Sequence, residues 1–136
     1  MCVLDASVGI KLVVPEEDSN RAEELLSDPG LVARAPDLFF LECANILWKR
    51  MRRGEFAAGD APGALARLRR AGPSVLSSLD LVDRALEIAN SEDISVYDAC
   101  YVALAERLGV PLVTADGKLA AKLAGTAHEI VTLDML

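Results

Sequence analysis

Four acids stand at positions where chemistry, as well as architecture, could require them. Asp5 directly follows the apolar run Cys2-Val3-Leu4, and Asp116 directly follows Leu112-Val113-Thr114-Ala115. Each also fits an N-cap between a strand and a helix, so position alone leaves both roles open. Glu42 and Asn45 are the only polar residues in Leu38-Phe39-Phe40-Leu41-Glu42-Cys43-Ala44-Asn45-Ile46-Leu47, and they fall within roughly 60° of each other on a helical wheel. If Glu42 faced solvent, Ile46 would face it too, which points to a neutralising partner. Asp98, three residues after Ser95, resembles the second member of a capping box. It nevertheless shares its helical stripe with the core-like Tyr101, Val102 and Ala105. Two carboxylates about 5 Å apart at an effective dielectric near 20 repel by roughly 3 kcal/mol, so converging acids take up protons or bind a cation. Oxygen-only ligation favours Mg²⁺ or Mn²⁺. Such an ion acidifies a bound water and stabilises charge on phosphate oxygens, chemistry that cleaves a phosphodiester without histidine.

Other chemistries drop away on inspection. The single histidine, His128, lies in the polar stretch Thr126-Ala127-His128-Glu129 and reads as a surface residue. Ser-His-Asp and Cys-His catalysis and His-rich metal sites therefore have no basis. The nine glycines are dispersed and form no phosphate-cradling loop. Three cysteines, Cys2, Cys43 and Cys100, are odd in number and sit in apolar contexts, as reduced core thiols do. That usage, with no basic leader before Asp5 and no apolar run of about 18 residues, predicts a cytoplasmic protein without a membrane span.

At 136 residues, 52% of them hydrophobic and 26% charged, the chain is long enough for one folded domain spanning residues 1–136. Twenty-one acids against fourteen bases give −7, which excludes a protein that coats DNA through a basic surface. The bases are clustered, however: Lys49, Arg50, Arg52 and Arg53 form one group, and Arg67, Arg69 and Arg70 another. Each group alone reads as a solvated helix face; beside an acidic metal site it would hold an RNA backbone.

The elements that must position these residues alternate between strand and helix. Strands are predicted at residues 2–4, 31–35, 75–79, 112–115 and 129–133. Helices are predicted at 6–14, stopped by Pro15, and at 16–27, 37–53, 60–71, 82–90, 95–108 and 118–124. The alternation implies βαβ units around a parallel sheet with helices on both faces, a three-layer α/β fold. The carboxyl ends of its strands then share the rim where ligands bind.

The blocks Val3-Leu4-Asp5-Ala6-Ser7, Glu42-Cys43-Ala44-Asn45-Ile46-Leu47, Ser95-Val96-Tyr97-Asp98-Ala99-Cys100-Tyr101-Val102-Ala103-Leu104-Ala105 and Leu112-Val113-Thr114-Ala115-Asp116 resemble the PIN-domain family, and within it the VapC-type ribonuclease toxins. The resemblance covers essentially the whole chain. It implies that Asp5, Glu42, Asp98 and Asp116 are the acidic quartet around Mg²⁺ or Mn²⁺, with Ser7, Asn45 and Thr114 as supporting polar positions. It also implies a doubly wound α/β/α fold with about five parallel strands, a homodimer, and metal-dependent endonucleolytic cleavage of RNA leaving 5′-phosphate and 3′-hydroxyl ends. A small antitoxin that wraps the groove belongs to the same expectation. Such chains often carry another acid or polar residue just after the last aspartate; here Gly117-Lys118-Leu119 follows Asp116, which leaves the number of metal ions open. Two other readings compete. A non-catalytic scaffold of the same family would only bind partners. A phosphoacceptor receiver domain would need an acidic pair after its first strand, where this chain has Ala6-Ser7-Val8.

Overall fold

A computed structural model describes residues 1–136. Five short strands, β1 (Cys2–Leu4), β2 (Ala33–Pro36), β3 (Ser74–Leu76), β4 (Leu112–Thr114) and β5 (Ile130–Thr132), form one sheet in the order β3-β2-β1-β4-β5. Every pairing is parallel; Val3 stands opposite Arg34 on one side and Leu112 on the other. β1 and β4 are buried along their whole length, as strands covered on both faces must be, whereas β3 and β5 are edge strands and more open.

Seven α-helices complete the chain: α1 (Ala6–Gly9), α2 (Ser19–Ser27), α3 (Leu38–Arg52), α4 (Ala61–Ala71), α5 (Val82–Glu92), α6 (Val96–Leu108) and α7 (Gly117–Leu123). With right-handed crossovers, the strand order puts α1 to α4 on one face of the sheet and α5 to α7 on the other. α6 lies across β1, β2 and β4 and under α5, so Ala99 to Ala105 are buried without interruption. A stripe reading of this helix understates its burial. None of the helices is long and apolar enough to cross a membrane.

Several boundaries differ from the sequence expectation, each for a local reason. The first helix is α-helical only to Gly9 and tightens to a 3₁₀ turn at Ile10–Leu12. The next helix starts at Ser19 rather than Glu16: Asp18 adopts a left-handed conformation (φ 63°), and Glu16 is engaged by Lys11 and Arg50. The third strand is Ser74–Leu76 rather than 75–79, because the Ser77 hydroxyl accepts the Leu79 N–H and opens a 3₁₀ turn at Ser78–Leu81. The second strand is displaced to Ala33–Pro36. His128, expected at the surface, is half-buried.

One continuous core of 30 buried apolar residues joins the layers, and all three cysteines lie in it, free and buried. Its tightest point is where α1 crosses α3. A Cβ on Gly9 would come within 2.3 Å of Phe39 Cζ, and that ring is fully buried. Gly9→Ala should therefore cost about 1–3 kcal/mol by overpacking, read as a lower denaturant midpoint. Trimming the ring in Gly9→Ala/Phe39→Leu should return part of it; a double variant less stable than either single one would contradict this account of the crossing.

Candidate active site

The sheet order reverses between β1 and β4, which opens a crevice at their carboxyl ends. Asp5 follows β1 and Asp116 follows β4 by two residues, so both flank that crevice. Both are also N-caps, and the two readings prove compatible. Asp116 caps α7 through Oδ1 alone, accepting from the N–H groups of Lys118 (3.0 Å) and Leu119 (3.2 Å), which leaves Oδ2 free. Asp5 caps α1 by accepting the Ser7 N–H at 3.1 Å on Oδ1.

Asp5 does more than cap. Its Oδ1 also accepts from the Ser7 hydroxyl, and its Oδ2 accepts from the Thr114 hydroxyl at 2.6 Å. The hydroxyl oxygens in turn accept backbone N–H groups: Ala115 donates to Ser7 Oγ (2.9 Å) and Asp116 donates to Thr114 Oγ1 (3.0 Å). With both hydroxyl protons directed at Asp5, the 3.3 Å approach of Ser7 Oγ to Thr114 Oγ1 is a contact of two acceptors. The supporting roles expected of Ser7 and Thr114 thus have a geometry. Asn45 does not share it: its side chain is exposed and makes no hydrogen bond to any of the four acids.

Glu42 and Asp98 approach from helices on opposite faces of the sheet. Ser95 caps α6 by accepting the Asp98 N–H at 3.0 Å, and the Asp98 carboxylate does not return the bond. The capping box is half formed, and the Ser95 hydroxyl partly offsets the rise that burial gives the Asp98 carboxyl. Glu42 accepts a 2.5 Å hydrogen bond from the hydroxyl of Tyr101, a core side chain 1% exposed. Tyr101 was missed as a site residue because the wheel counted it as apolar; a buried tyrosine hydroxyl needs a partner, and that was the available signal.

The electrostatics tie the acids together. Burial pushes the Asp5 carboxyl up from 3.8 to about 6 against the pull of its hydroxyl donors, and the Asp98 charge adds to the rise. Burial also raises Glu42, again with repulsion from Asp98. Asp98 itself is raised by burial and by Asp116. Asp98 thus links the set: its charge raises Asp5 and Glu42, and the Asp116 charge raises it in turn. No lysine or arginine forms an ion pair with any member of the quartet. The donor set is hard oxygen, short of positive charge, and suits a hard divalent cation. The acids ring the crevice without being gathered: no three His, Cys, Asp or Glu side chains stand close enough to form a ready cage. Asp98 and Asp116 share a cleft of 270 Å³ with Lys118, while a larger one of 690 Å³, bordered by Lys11, Phe56 and Arg67, contains none of the four.

The basic clusters are less available than their sequence suggests. Arg50 is drawn to Glu16 and Glu55, Arg53 to Glu55, and Arg67 to Glu23 at 2.9 Å. The Arg52 guanidinium stacks over Trp48, 5.0 Å from the ring centre. Lys49, Arg69 and Arg70 have no acidic partner, but Arg69 and Arg70 sit in the last turn of α4, just before β3 begins. That is the amino-terminal end of the sheet, opposite the rim of the acids.

Comparison with known proteins gives the family. The family model for the PIN domain matches residues 2–124. The chain is 39% identical over 122 residues to Ribonuclease VapC3 of Pyrobaculum aerophilum, covering 88% of this chain and 92% of that one. It is 36% identical over 101 residues to Exonuclease VapC9 of the same organism, covering 71% and 70%. The crystal structure of PAE2754 from Pyrobaculum aerophilum superposes with a TM-score of 0.72 at 27% identity, covering 98% of this chain and 90% of that one. With its motifs at the crevice of a five-stranded parallel sheet, the chain belongs to the PIN domain family.

Proposed function

We propose that this protein is a divalent-metal-dependent endoribonuclease, the toxin of a toxin–antitoxin pair, with Mg²⁺ or Mn²⁺ held by Asp5, Glu42, Asp98 and Asp116. The carrying observation is that four acids stand at the carboxyl end of the sheet, three of them with raised carboxyls and none in an ion pair with a base. When bound, the ion would supply charge neutralisation for the phosphate and acidification of an attacking water. The remaining work falls to the chain's own groups. Ser7 and Thr114 hold both oxygens of Asp5 in place, Ser95 caps the helical turn that carries Asp98, and Tyr101 anchors Glu42. Tyr97, next in the chain to Asp98, is 69% exposed and offers a stacking face for an unpaired base; Trp48 and Arg52 offer another on α3. A homodimer and a small antitoxin partner belong to the same proposal.

The relative named an exonuclease favours a second reading, in which RNA is trimmed from an end. A circular and a linear RNA of the same sequence separate the two. Cutting of the circle with Mn²⁺, abolished by chelator, is expected of the endonuclease; degradation of the linear RNA alone would establish the exonuclease. Asp5→Asn and Asp98→Asn should each lower metal-dependent cleavage at least about 100-fold. Cleavage at the wild-type rate in both variants would leave the family fold with a non-catalytic role.

The raised Asp5 carboxyl adds a prediction for the metal-free protein. Its value lies above that of an unfolded aspartate, so between about pH 4 and 6 the folded state holds more protons, and stability falls as pH rises through that window. Above about pH 6 the loss is complete, at most about 3 kcal/mol. Asp5→Asn removes it. In chelator at pH 7.5 the variant should be 1–3 kcal/mol more stable than wild type (~1.4 kcal/mol per pH unit), with the advantage vanishing below about pH 4. An asparagine variant less stable at pH 7.5 would show that the Ser7 and Thr114 bonds outweigh the burial of charge.

A further inference from the structure

The hydrogen bond between Tyr101 and Glu42 joins a core helix to a rim acid, and nothing else in the structure fixes that acid. Glu42 has no ion pair and no other side-chain partner, and the Tyr101 hydroxyl has no other acceptor. The tyrosine ring is enclosed: it is 1% exposed and belongs to the same buried core as Cys100, Val102 and Ala105. Its hydroxyl is therefore a fixed donor at 2.5 Å from Oε1, which leaves Oε2 of Glu42 without a partner. Glu42 is half-buried and its outward neighbour Leu41 is 75% exposed, so without that donor the glutamate could swing toward solvent. Ser7 and Thr114 perform the corresponding service for Asp5, but from the first turn of α1 and the end of β4; for Glu42 the task falls to a residue three helices further along the chain.

We propose that Tyr101 is a positioning residue that holds Glu42 at the crevice, with one carboxylate oxygen spent on the hydroxyl and the other directed to the divalent cation. This rests on the metal-dependent nuclease reading. It also gives the second acid of the quartet a role that is set by reach: a glutamate spans from α3 to the Tyr101 hydroxyl, and an aspartate, one methylene shorter, would not.

The test uses the whole chain, Mn²⁺ as the probe, and two readouts: Mn²⁺ affinity by calorimetry, and kcat and KM for RNA cleavage measured separately. Tyr101→Phe keeps the ring and removes the hydroxyl. It should weaken Mn²⁺ binding about 10-fold and lower kcat about 10- to 100-fold, the usual cost of losing a partner that orients a ligand, with KM for RNA within about twofold. Glu42→Gln should do as much or more, and Tyr101→Phe/Glu42→Gln should be no worse than Glu42→Gln alone. Should Tyr101→Phe not fold, Glu42→Asp asks the same question by withdrawing the carboxylate from the hydroxyl while keeping its charge, and should show the same loss of Mn²⁺ affinity. Wild-type affinity and kcat in Tyr101→Phe, or losses that multiply in the double variant, would overturn the role of Tyr101 while leaving the nuclease reading intact. A wild-type chain that neither binds Mn²⁺ nor cuts RNA overturns both.

Discussion

A carboxylate buried at the junction of two adjacent parallel strands is the constraint on which the rest of the structure turns. Asp5 sits where apolar burial is nearly complete, and ionised carboxylates are rarely accommodated there without partners. Its three donors come from Ser7, two residues on, and from Thr114, 109 residues away, so the acid can be satisfied only if β4 lies directly beside β1. The same hydroxyls take backbone N–H groups from the turn after β4, fixing the direction in which Asp116 leaves the sheet. One network therefore sets strand adjacency, turn geometry and the placement of two acids. The donors do not fully offset burial, since the carboxyl remains near 6. A fold selected for stability alone would place an apolar residue here.

The short strands explain how acids from both helical layers reach the same point. Three or four residues at about 3.3 Å each make a sheet only about 10 Å tall. The first turns of helices on either face then stand level with the strand ends instead of being held apart by a taller sheet. Glu42 is on the second turn of α3 and Asp98 on the first turn of α6, and the hydrogen bond from Tyr101 to Glu42 closes across the top of the sheet between the two layers. The unbroken burial from Ala99 to Ala105 follows from the same geometry: α6 must be thin enough, with Ala99, Ala103 and Ala105, to lie against the sheet while α5 covers it. Rigidity in α6 thus serves the core and the site together.

How much of this was legible beforehand depended on whether a residue's partners were near in sequence. The alternation of elements and the two aspartates after β1 and β4 follow from local pattern, and so does the parallel sheet. Burial of the three cysteines was also readable. The basic clusters were not. A run of arginines looks like one surface, yet Arg50 is claimed by Glu16, 34 residues upstream, and Arg67 by Glu23 on another helix. Helix direction separates Arg69 and Arg70 from the acids, and direction is a property of the whole topology. Asn45 lies near Glu42 on a wheel, but the wheel gives angle and not reach, and the hydrogen bond to Glu42 comes from Tyr101 instead. Strand ends shifted where a side chain supplied a competing bond, as Ser77 does after β3.

A net charge of −7 is at first sight ill suited to a polyanionic substrate. The distribution of that charge resolves the difficulty. Seven of the seventeen acids outside the crevice are paired with arginines or lysines, and the field of the others is largely screened beyond roughly 8–10 Å at ordinary ionic strength. The four at the crevice are unpaired, and a phosphate brought among them would add repulsion to groups that already resist ionising. Under the nuclease reading, substrate and cation must therefore bind with positive coupling: the ion lowers the cost of bringing in the phosphate, and the phosphate oxygens supply ligands that the dispersed acids do not complete alone. An acidic crevice that is only loosely gathered is, on this view, a site whose final geometry is set by the ion and the phosphate together. Its selectivity for phosphodiesters then needs no large basic surface.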